Sequence, residues 1–528
     1  MHSTKFMKQF ILHTQMLSTW FQVLVILGVF SYAALAQSVQ DLLFQSDSKG
    51  VHWSVSVRNS EGNVLEEWNA DKWMVPASNM KLITSSAALH ELGANFTYKT
   101  SIYGDGYLED SVWVGDLMVV GSGDPTISGF LYGENRYHVF ENLRSVLLEA
   151  GISSWTGQWV GLLGYFDAET YPKGWDWDDL NFYYGVEISE LSFNNNAVDL
   201  VVQADGQTGD RPEITWFPDN TDYVTMVNEQ IIGEEASKYD EFYRRSWESN
   251  ILYLASSLPP GYEETESLAI HDAPRFFMDS FVKYLASNRM MSEQFSEKPF
   301  RVERRWPNTF KAPINASREK VGTSLWTGYE AIWTNEEVLD AQHNWTLLGT
   351  HESKPFSDII SWLNKESDNF FAEMVLKTLA AERLGQPGST SGGIEVVRNT
   401  LGSLGLDTTY VVMRDGSGLA GGNFLTTSTI SELLFIMSEH TESEAFISSL
   451  PIMGEDGTLH YRMKQSPLRG QVFAKTGYVG GARSLSGYLF TQSGERLIFS
   501  LSANNFVDKV SRIDAVHEQI LTYLYYHY

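Results

Sequence analysis

What most limits how this chain can fold is a residue it lacks: its 528 residues include no cysteine, yet its N-terminus reads as an export leader. Lys5 and Lys8 form a positive n-region, Phe21 to Phe30 an apolar run, and Ala34-Leu35-Ala36 a small-residue cleavage site. Residues 1–36 are therefore expected to be removed before Gln37. An exported chain without disulfides has to hold itself together by core burial alone, and this length allows roughly two to four domains. The same absence excludes thiolate metal sites, a cysteine nucleophile and a lipid-anchored cysteine after the leader. The leader's apolar run is short for a membrane span, and no later stretch is long and apolar enough to cross a bilayer. The formal net charge is −28, and loss of Lys5 and Lys8 makes it more negative still. Nucleic acid and an anionic membrane surface are poor partners for such a chain. Three glycosylation sequons, at Asn95, Asn315 and Asn344, matter only in a glycosylating secretory pathway.

Hydrophobic periodicity orders the rest. A short helix is expected from Gln37 to Leu43, then a hairpin of Val51–Val57 and Val64–Trp68 turning at Glu61-Gly62-Asn63. A second hairpin pairs Thr100–Tyr103 with Val112–Val120 and ends in the turn-rich Gly121-Ser122-Gly123-Asp124-Pro125-Thr126. From about 100 to 335 short strands, turns and acidic loops dominate, with helices at Tyr137–Ala150 and Ala273–Ala286. Beyond about 336 helices are expected at Pro355–Leu363, Asn369–Leu384, Gly392–Leu404 and Ser428–Ser438. Three alternating runs follow, Gln471–Lys475, Ser484–Phe490 and Arg496–Ala503, which form an antiparallel meander. A last helix from Val510 to Tyr525 carries Ile513, Val516, Ile520 and Leu524 on one face.

Chemistry concentrates first in Pro76-Ala77-Ser78-Asn79-Met80-Lys81-Leu82-Ile83-Thr84, read as the opening of a helix that runs to Leu92 and stops at Gly93. Met80, Ile83, Ala87 and Leu92 recur at helical spacing and form its buried face. Ser78 and Lys81 are three apart and share a face of that turn. A serine is a weak nucleophile until a neighbour takes its proton, and a desolvated lysine can be that neighbour. Ser-x-x-Lys also occurs at Ser46, Ser280 and Ser317, and only the Ser78 copy opens an apolar helix behind a proline. Ser367-Asp368-Asn369 places a hydroxyl and an amide on a loop, a pattern repeated at Ser192 and Ser502. Lys475-Thr476-Gly477 occurs once, at the end of a strand, where lysine and threonine suit a carboxylate and glycine admits a substrate backbone. The aromatic cluster Trp175-Asp176-Trp177-Asp178-Asp179-Leu180-Asn181-Phe182-Tyr183-Tyr184 reads either as packing or as a carbohydrate- or peptide-gripping lip.

Taken together and in this order, Ser-x-x-Lys on a helix, Ser-x-Asn on a loop and Lys-Thr-Gly on a strand resemble the penicillin-binding proteins and serine β-lactamases. Ser78 and Ser367 are 289 residues apart, and Ser367 and Lys475 are 108 apart. A class A β-lactamase has no room for the first gap. The spacing resembles class C low-molecular-mass penicillin-binding proteins, which are D-alanyl-D-alanine carboxypeptidases and endopeptidases. Gly121–Thr126, the Trp175–Gly185 cluster, Asp415-Gly416-Ser417-Gly418-Leu419 and Gly454-Glu455-Asp456-Gly457-Thr458-Leu459 agree, so the likeness covers nearly all of the mature chain.

The resemblance implies an α/β (α+β) serine transpeptidase/β-lactamase-like domain, its antiparallel sheet covered by helices, the N- and C-terminal ones together on one face. That domain is expected over residues 37–99 and 336–528, with 100–335 inserted as two nested, smaller, mostly-β domains. By the same resemblance Ser78 is the nucleophile, Lys81 its general base, Ser367 the proton relay and Lys475 a nearby charge that tunes the field. Asn369 would bind the substrate amide, Thr476 and Gly477 its carboxylate end, and the backbone N–H groups of Ser78 and Tyr478 the oxyanion. Trp175, Asp178 and Tyr183 would shape the pocket for the far end of the stem peptide, and Ser417 would be a further substrate-binding residue. No cofactor and no metal is implied. The partners implied are peptidoglycan stem peptides, β-lactam antibiotics as acylating inhibitors, and peripheral contact with membrane or cell wall, in the periplasm or at the cell surface.

Two departures stand out. Tyr478 replaces the usual threonine after Lys-Thr-Gly, and Ala420-Gly421 replace the usual Ser-Arg after Asp-Gly-Ser-Gly-Leu. The alternatives are an esterase or D-amino-acid peptidase on the same scaffold, and a non-catalytic wall-binding protein. A metal hydrolase or a Ser-His-Asp hydrolase finds no support, because His-Glu-x-x-His and Gly-x-Ser-x-Gly are both missing.

Overall fold

The computed structural model describes residues 38–46, 50–133, 135–219, 221–234, 242–292, 299–304, 345–385, 387–507 and 509–528. The leader, the Ser317 pair, and the sequons at Asn315 and Asn344 lie outside the described residues. No helix among the described residues is long and apolar enough to cross a membrane. The chain divides into two compact units: Met1–Asn79, Phe424–Glu439 and Leu450–Tyr528 form one, Met80–Asn423 and His440–Ser449 the other.

The first unit is built on a five-stranded antiparallel sheet. Its order is Val472–Val479, Ala482–Phe490, Arg496–Asn504, His52–Arg58, Val64–Trp68. Both the hairpin and the meander read from alternation are present. The terminal helices Val39–Gln45 and Val510–His527 bury one face, with Leu42, Ile513, Ile520 and Leu524 packed against Val55, Val57, Leu485 and Leu501. Each such side chain stabilises the unit by roughly 1.5–3 kcal/mol. The opposite face is lined by serines. There Ser54 bonds Thr427 at 2.7 Å and Ser56 bonds Ser431 at 2.9 Å on the Thr427–Ser438 helix.

His517, fully buried on the last helix, stands edge-on to Trp53 at 5.6 Å, and neither ring nitrogen has a hydrogen-bond partner among the described residues. Burial, then the charges of Arg462 and Arg483, drive its pKa well below the ordinary histidine value. The folded state thus keeps the ring neutral, while the unfolded chain protonates near pH 6.5. Stability contributed here is complete above that pH and is lost as pH falls through it, by about 1.4 kcal/mol per unit. His517→Phe should therefore gain on the parent as melts are run from pH 7 down to 5. A difference that does not change with pH would remove histidine ionisation as the cause.

The second unit carries a six-stranded sheet whose strands include Lys99–Glu109, Val112–Gly121, Trp159–Leu163, Phe300–Arg304 and Thr346–Glu352. Helices His138–Glu149 and Ala273–Ser287 pack into one core with it, around Phe140, Phe193, Phe277 and Trp159. Ser280 of the third Ser-x-x-Lys copy is buried in that core helix, and its Lys283 pairs with Asp279 and Asp222. Smaller sheets follow, the three-stranded Glu263–Ala269, Ala197–Gln203, Glu213–Phe217 among them. A helical cluster completes the unit: Met80–Leu92, Phe356–Lys365, Asn369–Leu384 and Thr390–Ser403. The last two cross so closely that a side chain on Gly393 would sit 2.1 Å from the Leu376 carbonyl oxygen.

Met80–Leu92 differs from its sequence reading in two respects. It is buried all round from Met80 to Leu89, including Lys81, Thr84, Ser85 and Ser86, and so lacks the one-sided face that the spacing suggested. Its expected first turn is a separate 3-10 turn at Ala77–Asn79, because Ala77 takes a φ of +48° that no α-helix accepts.

Candidate active site

The first unit holds the serine turn and the Lys-Thr-Gly strand. Ser78 is half-buried in the Ala77–Asn79 turn, and its neighbours are tied to the sheet on either side. Val75 donates its N–H to Asn504 Oδ1 (2.7 Å), Ser484 Oγ donates to the Pro76 carbonyl (2.7 Å), and Asn79 Nδ2 donates to Ser486 Oγ (2.6 Å). These bonds hold Ala77 in its left-handed conformation, a strain of the kind that clusters at functional sites. Gly477 is required by this packing: a Cβ there would lie 2.2 Å from Ser484 Oγ and 3.1 Å from the Ser78 nitrogen.

Lys475 is buried with its Nζ on the Thr476 carbonyl at 3.0 Å, and the Thr476 hydroxyl donates to Thr458 Oγ1 at 2.7 Å. Thr458 belongs to the Gly454–Leu459 stretch, which sequence reasoning quoted without giving it a role. Val472–Val479 is an outer strand of the sheet. Ala474 sends its N–H outward, to the Pro451 carbonyl. N–H groups alternate along a strand, so Thr476 and Tyr478, at the same parity, also aim theirs away from the neighbouring strand. The Tyr478 side chain is 57% exposed and leaves that donor in place.

The second unit holds the base and the amide. Lys81 is fully buried and its Nζ donates to Asn369 Oδ1 (2.6 Å) and to the Ser417 carbonyl (2.8 Å). Burial pulls its pKa down to about 8 against the opposing charges of Asp415, Glu373 and Asp368. Asn369 in turn donates Nδ2 to the Tyr184 carbonyl at 2.9 Å, so its amide bridges the base and the aromatic segment. Ser367 sits in the left-handed region (φ +61°), and Asp368 fastens its loop. That carboxylate caps the Asn369–Leu384 helix through Phe371 N–H (3.1 Å) and accepts from Trp362 Nε1 (3.2 Å) and Asn195 Nδ2 (3.0 Å). Asn195 is the middle of three successive left-handed asparagines, Asn194 to Asn196. Nothing in their sequence announced this contact beyond the tolerance of asparagine for that conformation.

The aromatic lip is anchored to the same structure. Trp175 Nε1 donates to Asp415 Oδ2 at 2.9 Å, Asp178 is exposed at the start of a short 3-10 turn, and Tyr183 is 54% exposed. Burial and the charge of Asp368 raise the Tyr183 pKa. Ser417 is fully buried, and the group it turns to Lys81 is its backbone carbonyl. Ala420 spends its N–H on Asp415 (2.6 Å), and open space surrounds the position a Gly421 side chain would take. Glu373 and Asp415, neither of them singled out in the sequence reading as site residues, both prove buried beside Lys81. Glu373 could have been suspected: it is an acid in the otherwise apolar run Phe370-Phe371-Ala372-Glu373-Met374-Val375-Leu376. No group of metal-binding side chains was found among the described residues.

Known proteins resemble this chain over most of its length. A D-alanyl-D-alanine carboxypeptidase of Actinomadura sp. (strain R39) is 28% identical over 467 residues, 85% of this chain and 77% of its own. D-alanyl-D-alanine carboxypeptidase DacB of Haemophilus influenzae is 24% identical over 452 residues, covering 85% and 84%. The crystal structure of penicillin binding protein 4 from Haemophilus influenzae superposes with a TM-score of 0.75 at 21% identity, over 93% of this chain and all of that one. A second structure of that protein, with a TM-score of 0.70, is complexed with a β-lactam. The sequence profile of the D-Ala-D-Ala carboxypeptidase 3 (S13) family matches residues 35–294 and 331–521. With its antiparallel sheet, covering helices and smaller β pieces, the chain belongs to the D-Ala-D-Ala carboxypeptidase 3 (S13) family.

Proposed function

We propose that the protein is a serine DD-peptidase that cleaves the peptide bond after a D-alanine in peptidoglycan stem peptides, through an acyl-enzyme on Ser78. The observation that carries this reading is Lys81: a buried amine with a pKa near 8, three residues beyond a strained serine turn. Ser78 Oγ adds to the carbonyl carbon and gives its proton to neutral Lys81. The proton passes through Ser367 to the departing amine nitrogen as the C–N bond breaks, with Lys475 tuning the field. The N–H groups of Ser78 and Tyr478 carry the oxyanion, and loss of one such donor typically costs ~10²–10³ in rate. Asn369 has a second N–H to offer the substrate amide, Thr476 and Gly477 receive the terminal carboxylate, and Trp175, Asp178 and Tyr183 shape the far end of the pocket. Water then releases the shortened peptide and restores the Ser78 hydroxyl. β-Lactams acylate the same oxygen. Residues 37–99 and 336–528 supply the catalytic domain, 100–335 the insertion, and removal of 1–36 on export brings the enzyme to the cell wall.

The assay is incubation with purified muropeptides and mass analysis of the products. Loss of one alanine marks a carboxypeptidase, and cross-linked dimers becoming monomers an endopeptidase. Unchanged muropeptides with hydrolysed soluble D-amino-acid esters would replace this reading. The acylation rate should climb about tenfold per pH unit below the Lys81 value and level off above pH ~8, since only the neutral amine is a base. A profile flat from pH 6 to 9 would exclude Lys81 as that base.

A further inference from the structure

Lys81 depends on an acceptor that has no chemistry of its own, the Ser417 carbonyl, and that carbonyl is held from behind. Glu373 is 1% exposed, one turn beyond Asn369 on the same helix. Its carboxylate accepts the Ser417 N–H at 2.8 Å on Oε1 and the Gly416 N–H at 3.0 Å on each oxygen. Thr84 Oγ1, one turn beyond Lys81, holds the Gly416 carbonyl at 2.7 Å. The Gly416–Ser417 backbone is thus clamped from two helices, and its remaining carbonyl receives Lys81. Asp415 performs the corresponding task on the outer side of the loop, accepting from Gly418 N–H (2.8 Å), Ala420 N–H (2.6 Å), Asn423 Nδ2 (2.8 Å) and Trp175 Nε1 (2.9 Å).

We infer that Glu373 is a positioning residue for the acyl-transfer reaction, fixing the Ser417 carbonyl as the acceptor that orients Lys81 and sets its affinity for the proton. This rests on the reading of Ser78 and Lys81 given above. The charged groups facing Lys81 are Glu373, Asp415 and Asp368, and the one facing Glu373 across the loop is Asp415. Burial, then the Asp415 charge, raises the Glu373 pKa, while the backbone N–H groups of Gly416 and Ser417 hold its carboxylate form.

Removing the carboxylate takes away both a nearby charge and the anchor of an acceptor, and each loss destabilises the ammonium form of Lys81. The test is the rate of acylation by a fluorescent penicillin from pH 6 to 9, separated into noncovalent affinity and acylation step, with melts of each variant. In Glu373→Ala the acylation step should fall by about 10²-fold with affinity little changed, as expected of a misplaced base. The rising limb should move about one pH unit lower. In Glu373→Gln one oxygen still accepts both N–H groups, so the loss of rate should be smaller and the limb should move the same way. If Glu373→Ala does not fold, the limb in Glu373→Gln decides alone. An unmoved limb in the folded variants, whatever their melting temperature, would reduce Glu373 to a structural role. A parent protein that is not acylated at all would overturn the Ser78 reading instead, so the two failures can be told apart.

Discussion

Ser78→Ala is expected to abolish covalent labelling by a fluorescent penicillin and all turnover of muropeptides, while thermal unfolding stays close to that of the parent. Losing the nucleophile of an acyl-transfer enzyme removes on the order of 10⁶ in kcat, because the remaining binding groups cannot form the covalent intermediate. The fold should not follow, for the turn carrying Ser78 is held by bonds from Asn504, Ser484 and Asn79 that do not use its hydroxyl. The measurement is gel fluorescence after labelling, paired with a melting curve. Labelling at parental stoichiometry in a folded Ser78→Ala protein would place the nucleophile elsewhere.

Lys81→Met should come second in size. The side chain keeps the length to fill the site but has no proton to take or give, so acylation should slow by ~10²–10⁴. The rise towards pH 8 should also vanish. Stability has two opposing contributions. Asn369 Oδ1 and the Ser417 carbonyl lose their Lys81 donor, at about 1–3 kcal/mol for each left unsatisfied. Against that, a buried ammonium need no longer be desolvated, the same burial that lowers its pKa. The net change should therefore be small beside the kinetic loss. Stopped-flow acylation and melts on one sample separate them. A variant that acylates at the parental rate would mean another group takes the Ser78 proton.

These two candidates could be picked out because the chemistry proposed for them also dictates their spacing and surroundings. Ser78 and Lys81 are three apart behind a proline, and Lys475-Thr476-Gly477 closes an alternating run. The meander, both hairpins and the Asn369–Leu384 helix could be read from periodicity, which is local information. The left-handed Ala77 could not, because it is imposed by sheet residues more than 400 positions away, Ser484 and Asn504. The pairing of Thr346–Glu352 with Lys99–Glu109 is likewise non-local, joining residues such as Glu352 and Lys99. Ser417 shows a different difficulty: its type suggested a side-chain role, whereas the structure uses its carbonyl, which every residue possesses. Glu373 and Asn195 act on the site through other residues, so no catalytic pattern names them.

The sheet of the first unit also has a consequence for how the chain comes to be folded. His52–Arg58 takes its inner neighbour from Arg496–Asn504, with Trp53 opposite Ala503, and its other neighbour Val64–Trp68 is only a hairpin. A two-stranded hairpin is at best marginally stable in water. While the chain is being made, these first strands therefore wait, with an open hydrogen-bonding edge, for partners about 450 residues downstream. Loop closure over such a distance is slow, and an exposed edge invites wrong pairings. The alternating strands nearest the N-terminus are thus the part of this protein with most to gain from being shielded until its last residues arrive.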